Sequence, residues 1–438
     1  MKNIDTLLHA RWIIPVEGDK SSLDWHSIAI HEERILDILP TDKARESYNA
    51  QLEIDYSHHA LMPGLINAHT HAAMSLFRGI ADDIPLMDWL QNHIWPAETK
   101  YVNEEFVQLG TELAIAEMLR SGTTCFNDMY FFPDVVARVA AKAGMRASVG
   151  MIVLDFPTVW ARDANEYIDK GLELHDNYKT SELISTGFAP HAPYTVSDEP
   201  LQRIRMLADE LSCPVTIHVH ETADEISEAI DKTGKRPLQR LADLNLVSPN
   251  LLAVHMTQLE TKEIEQLASS GSHVVHCPES NLKLASGFCP VNDLLKAGVN
   301  VALGTDGAAS NNDLDMFGEM RSAALLAKGV SQDASAVPAI EALKMATLNG
   351  ARALGIEENT GSLTKGKYAD IIAVDFDTIE TSPVYDPVSH LVYCCGREQV
   401  SDTWIAGKHV MKNRALTTLD IDKIKQAANH FAENLSHE

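Results

Sequence analysis

The sequence predicts an α/β protein, a (β/α)8 TIM-type barrel with a small β-sandwich domain built from both chain ends. Three observations predict it. Between Leu61 and Ala308, eight short apolar runs alternate with amphipathic stretches, and eight strand–helix units over roughly 250 residues are what a closed parallel barrel needs. Most of these runs end in histidine or another polar residue, and the C-terminal strand ends are where such barrels carry chemistry. Both flanks are again β-type. A doubly wound open sheet would normally begin with a Gly-rich turn, which is missing here.

The elements follow in order. Residues 1–58 hold "HARWIIP" and "SIAIHEERILDILP", two β-type pieces. The eight runs are "LMPGLINAHTH", "TTCFNDMY", "RASVGMIVLD", "STGFAPHAPY", "PVTIHVHE", "LLAVHMT", "HVVHCPESN" and "NVALGTDGA". Between the first two, "NEEFVQLGTELAIAEMLRSG" places Phe106, Leu109, Leu113 and Ala116 at helical spacing and stops at Gly122. After a helical stretch ending near Gly355, "GSLTKGKYADIIAVDFD" and "DTWIAGKHVMKN" read as strands, and Ile421–Leu435 as a terminal helix. The barrel is therefore expected over residues 59–361, and the small domain with its helix over 1–58 and 362–438. Residues Gly361–Lys367 fit GxxxxGK, but Tyr368 follows where a phosphate loop has Ser or Thr. A turn explains them better.

Composition excludes whole classes of function. The chain of 438 residues is 45% hydrophobic and 22% charged, ordinary for a globular protein. A formal charge of −26 argues against nucleic acid and against an anionic membrane surface. No run of about 18 apolar residues appears, so no membrane span is expected. "MKNIDTLLHARWIIPVEGDK" has neither an apolar core segment nor a small-residue cleavage site, so no signal peptide is expected either. The six cysteines make no CxxC and no framework spacing. Reduced thiols in a cytoplasmic protein are the expectation.

The strand ends carry His69 and His71, His191, His218 with His220 and Glu221, His255, His276 and Asp306. Residues i and i+2 of a strand point the same way, and burying imidazole costs free energy unless it is partnered. One buried histidine is unremarkable. Polar groups at nearly every strand end are explained together by one divalent metal. Imidazole plus carboxylate suits zinc best, with manganese, iron or nickel open. His69, His71, His218 and Asp306 form the best ligand set, because their strand ends converge in a closed barrel. Glu221, three residues past His218, could take a proton from an activated water and pass it to a substrate nitrogen.

The segments "NAHTH", "APHAPY", "HVHET" and "GTDGAASNN", with the flanking "GSLTKGKYADIIAVD", resemble the amidohydrolase superfamily. More closely, the chain is similar to the 5'-methylthioadenosine/S-adenosylhomocysteine deaminases, over nearly its whole length. The resemblance implies a hydrolytic deaminase of adenine nucleosides with one divalent metal per subunit, most simply zinc, assembled as a homo-oligomer. Dinuclear relatives place a carboxylated lysine at the end of strand four, where "STGFAPHAPY" offers none. It further implies that Glu221 shuttles the proton, that His255 orients the attacking water, and that Asp306 is both ligand and base. His191 and Glu98 would meet the ribose, Trp89 would line the nucleoside pocket, and Ser310 joins the substrate contacts. A carboxylate such as Glu98 can accept both hydroxyls of a vicinal diol, although exposed helix carboxylates and core tryptophans are common. Aligned on "GMRASVGMIVLD", Met151 falls where members accepting S-adenosylhomocysteine place an arginine, and Arg162 matches a second one. The expected order is therefore 5'-methylthioadenosine first, adenosine accepted, S-adenosylhomocysteine poorer. A guanine or triazine substrate is the alternative within enzymes, and a metal-free scaffold the alternative outside them.

Overall fold

The computed structural model describes residues 1–436. At its centre eight strands pair in chain order: β1 (Leu65–Thr70), β2 (Thr123–Asp128), β3 (Arg146–Val153), β4 (Ile184–Pro190), β5 (Val215–Val219), β6 (Leu251–His255), β7 (His273–His276) and β8 (Asn300–Leu303). All of these pairs are parallel. Just past β8, the Asp306 N–H donates to the His69 carbonyl at 3.0 Å, which brings the last strand end against the first. Parallel pairing requires crossovers, and helices such as Glu104–Arg120, Ala164–Tyr178 and Met316–Ser331 supply the outer wall. Every residue of β1, β2 and β3 is buried. Strands covered on both faces read as continuous apolar runs, which is why the runs stood out in the sequence.

The helix after β1 differs from its expected face. Helix Glu104–Arg120 starts where the Asn103 side chain accepts the Phe106 N–H at 2.9 Å, and buries Phe106, Val107, Gly110, Thr111, Ala114 and Ile115. Leu109 and Leu113 are only half-buried. The small residues win the inner face because the chain there passes very close: a Cβ on Gly110 would lie 2.3 Å from the Ala73 carbonyl. The terminal helix Ile421–Ser436 then covers part of this wall, with Phe431 packed on Phe77, Tyr101 and Phe106.

The two chain ends meet in a second, mixed sheet. Strand Tyr48–Pro63 pairs in parallel with Lys2–Ile13 and antiparallel with Ile371–Asp375 from the far end of the chain. Leu8, Ile13, Ile28, Ile30, Ile371 and Trp404 fill its own small core. A buried ion pair ties it to the barrel floor: Arg146 at the start of β3 donates through Nε to Asp370 at 2.8 Å and through Nη2 at 3.2 Å. Lys367 of the GxxxxGK look-alike is engaged by Glu17 at 2.9 Å and Ser362 at 2.7 Å. Residues 437–438, which the expected small domain includes, lie outside the described residues. Among the described residues no helix is long and apolar enough to cross a membrane, and the six cysteines are free thiols.

Candidate active site

His69 is the penultimate residue of β1 and His71 lies just past its end, His218 lies in β5, and Asp306 follows β8. One donor atom from each falls within 4.8 Å of all the others. The Nε2 atoms of His69 and His218 stand 3.0 Å apart, and Asp306 Oδ1 lies 3.2 Å from His71 Nε2 and 3.5 Å from His69 Nε2. Ligand atoms held about 2.1 Å from one tetrahedral ion stand roughly 3.4 Å apart, and these three distances are close to that spacing. Gly304 allows it, since a Cβ there would sit 2.8 Å from the His69 Cβ.

The outer partners aim these atoms. His71 Nδ1–H donates to the Met129 carbonyl at 2.5 Å, and His218 Nδ1–H to the His191 carbonyl at 2.8 Å. Each bond turns the Nε2 lone pair inward, the arrangement metal-binding histidines use. Asp306 Oδ2 accepts the hydroxyls of Ser280 at 2.7 Å and Ser310 at 2.9 Å, while Oδ1 accepts the Gly307 N–H at 2.9 Å and faces the imidazoles. Burial pushes His69 down to about 4 and His218 well below its usual value, so both are neutral. Burial works against Asp306 too, but hydrogen bonds from His69 and His71 hold it well below the carboxylate range. Burial also pushes His71 down, yet Asp306 carries it up to about 9. Three imidazoles and one ionised carboxylate thus converge on one point, a donor set that fits a divalent cation.

The predicted catalytic groups ring this cluster. Glu221 is buried, and burial raises its carboxyl above the usual range. Its Oε2 lies 3.8 Å from His255 Nε2, and His255 Nδ1 pairs with Asn281 Oδ1 at 2.9 Å. His220, His255 and Asp306 all have left-handed backbones, with φ of 55°, 77° and 64°. Non-glycine residues adopt this region at a cost of order 1–2 kcal/mol each. Here it turns the chain sharply at a strand end; His255 and Asp306 face the cavity, while His220 turns away and accepts the Leu238 N–H at 3.1 Å. His276 is buried, and that burial lowers it to about 3; it does not line the cavity.

A cavity of about 600 Å³ opens above the cluster, lined by His71, His218, Glu221, His255, Asp306 and Ser310 at its inner end. Trp89, Glu98 and His191 line it as well. Trp89 and Glu98 sit on helical segments Leu86–Trp89 and Trp95–Tyr101, joined by a π turn over Leu90–Ile94. In an unbroken α-helix these two residues would point about half a turn apart; the wider π turn takes up about a quarter turn. Tyr130 donates its hydroxyl to Glu98 Oε1 at 2.8 Å. The buried Trp89 Nε1 has no partner among the described residues.

Met151 and Arg162 are not in this cavity, a correction to the sequence reading. Met151 is buried on the outer face of β3 against helix Ala164–Tyr178, where a Cβ on Gly171 would lie 2.8 Å from its own Cβ. Its neighbour Ile152, one residue on and therefore on the opposite face, lines the cavity instead, as does Leu154. The Arg162 side chain is 84% exposed and pairs with Glu166 at 2.7 Å. No Lys or Arg is among the lining residues, and Leu86, Leu90, Ile94, Phe156 and Val159 give the outer wall its apolar character. The sequence reading missed Tyr130 and Asp128, which accepts the Ala72 N–H at 2.7 Å and so holds the turn after His71. Both stand in "NDMY", at the end of the second apolar run, and the rule applied to the other strand ends would have found them.

Comparison with known proteins places this geometry among relatives. The amidohydrolase family model matches residues 60–410. A protein of Saccharophagus degradans named 5-methylthioadenosine/S-adenosylhomocysteine deaminase is 53% identical over 424 residues, 97% of this chain and 95% of its own. One of the same name from Teredinibacter turnerae is 52% identical, covering 99% and 98%. The solved structure of an adenosine deaminase from Xanthomonas campestris with bound zinc matches at a TM-score of 0.99 and 50% identity, over 100% of both chains.

Proposed function

The chain belongs to the amidohydrolase family, and from that premise we propose that it is a zinc-dependent deaminase of adenine nucleosides that prefers 5'-methylthioadenosine. The observation that carries the reading is the meeting, in one cavity, of the four-donor cluster, buried Glu221 and buried Glu98. Held by His69, His71, His218 and Asp306, a zinc ion would supply an activated water at neutral pH. Glu221 takes a proton from that water and delivers it to ring N1 as oxygen bonds to C6. The remaining proton of the new C6 hydroxyl passes through Asp306 to the amine, the C6–N bond breaks, and ammonia and the hypoxanthine nucleoside result. His255 and Asp306 flank the attacking oxygen, while His191 and Glu98 hold the ribose. Six cysteines without framework spacing support a reducing, cytoplasmic setting.

Substrate preference follows from the cavity wall. A homocysteine tail needs a cation for its carboxylate, and the lining has neither Lys nor Arg. The methylthio group needs only the apolar surface that Ile94, Leu154, Phe156 and Val159 offer. Losing one charged hydrogen bond costs about 1.5–3 kcal/mol, or roughly ten- to a hundredfold in specificity. An ultraviolet assay of purified protein against 5'-methylthioadenosine, adenosine, S-adenosylhomocysteine, guanine and a chlorotriazine should rank kcat/KM in favour of the first. Higher kcat/KM for S-adenosylhomocysteine would overturn the preference, and turnover of guanine or the triazine alone would overturn the nucleoside assignment.

Glu98 makes substrate binding pH-dependent. Burial pushes its carboxyl up to about 7, against the lowering effect of the Tyr130 hydroxyl. Only the ionised form accepts both ribose hydroxyls, and that form is lost as pH falls through 7. KM should therefore rise below pH 7, by about tenfold per unit once Glu98 is protonated, and stay flat above it. Glu98→Gln should raise KM at pH 8 and remove the acid-side dependence. An unchanged KM profile in that variant would detach Glu98 from the ribose.

A further inference from the structure

Glu221 is aimed almost entirely through its main chain. Among the described residues its carboxylate has no hydrogen-bond partner, and His255 Nε2 stands off at 3.8 Å. Its oxygens are thus free to pick up and release protons. Its backbone, by contrast, is clamped from two sides. Glu225, at the third position of helix Ala223–Thr233, accepts the Glu221 N–H at 2.7 Å and the His220 N–H at 3.1 Å. From the far side, Thr257 donates its hydroxyl to the Glu221 carbonyl at 2.6 Å and its N–H to the His220 carbonyl at 2.9 Å.

A helix-start glutamate at this position ordinarily reaches back to the N-cap residue, here Thr222, whose side chain accepts the Glu225 N–H at 3.2 Å. The Glu225 carboxylate passes beyond Thr222 to the two residues before it. Those two include His220, held at a φ of 55°, a conformation that persists only where its surroundings over-determine it. We propose that Glu225 is a positioning residue for the deamination, holding the strained His220–Glu221 peptide so that the Glu221 carboxylate stays over the cavity. The proposal rests on the reading of Glu221 as the proton carrier. Among the described residues the Glu225 side chain makes no hydrogen bond to a metal ligand's side chain, and its bonds go to the His220 and Glu221 main chain.

The test is a double-mutant cycle on the zinc-loaded enzyme with 5'-methylthioadenosine. Glu225→Gln keeps the length but retains one oxygen acceptor and turns an NH2 toward the other N–H. In the wild-type background it should lower kcat by about 10- to 100-fold, the scale of an ångström-sized misplacement, with KM and zinc content within about twofold. In an E221Q background the same change should lower kcat by less than twofold, because no carrier is left to aim. Thr257→Val, which removes the opposing hydroxyl, should behave alike and serves if E225Q does not fold. Retention of half or more of the wild-type kcat by both variants overturns the proposal, as does an equal fold-loss in the two backgrounds, the signature of a merely structural role. If E221Q alone turns over like wild type, the proton-carrier reading itself fails, and the role proposed for Glu225 falls with it.

Discussion

Glu221→Gln should lower kcat by about 10²–10⁴-fold, the usual contribution of a placed acid–base group, while zinc content and KM stay near wild type. The amide matches the carboxylate in shape, so the packing of the buried side chain is kept and only the proton carrier is lost. Two features give the substitution this force. Burial raises the Glu221 carboxyl above its ordinary value, which lets it hold a proton closer to neutral pH than a solvated glutamate does. The cavity also offers few substitutes, with His255 Nε2 at 3.8 Å the next candidate. Steady-state rates from the ultraviolet assay, with elemental analysis of the same preparation, check both halves. A variant within a few fold of wild type would move the proton transfer to His255.

How much of this was legible before the structure differs between layers, for physical reasons. The barrel and its metal donors were legible because strand ends are marked: buried apolar runs stop, and polar residues stand where nothing in the core would ask for them. His69, His71, His218 and Asp306 needed no knowledge of side-chain direction beyond convergence at one rim. Met151 did need it. In β3 all eight residues are buried, so hydrophobicity does not tell the face toward the barrel from the face toward the helices. Met151 and Ile152 are equally apolar, and only the strand's parity sends one against Gly171 and the other into the cavity. Arg162 failed differently, since a loop of unknown path separates it from β3. Glu98 and Trp89 were reached through the resemblance alone, because the π turn between them is a departure from helical period that residue spacing does not reveal. The Glu225 clamp depends on a left-handed His220, a conformation no residue type announces. What patterning marks was readable; what local backbone geometry decides was not.

His69→Ala should lose bound zinc and activity together, with turnover at the level of the metal-free protein. His69 is fully buried, and its Nε2 lies within 3.5 Å of both His218 Nε2 and Asp306 Oδ1, so no water-exposed group can swing in to replace it. The loss should exceed that of Ser310→Ala, which removes only one hydroxyl from Asp306 Oδ2 and leaves all four donors. An outer partner of that kind typically changes metal affinity or activity by about 10–100-fold. Because the ion binds the folded chain and not the unfolded one, its loss also removes the stabilisation that binding supplies, about 4 kcal/mol when free metal stands a thousandfold above Kd. The wild-type Tm should therefore fall on chelation and recover on adding zinc, whereas the Tm of His69→Ala should respond to neither. Metal stoichiometry, Tm with and without chelator, and kcat on one set of preparations decide the matter. Full zinc content with wild-type turnover in His69→Ala would mean that the paired histidines of "NAHTH" serve the fold and that the metal centre lies elsewhere.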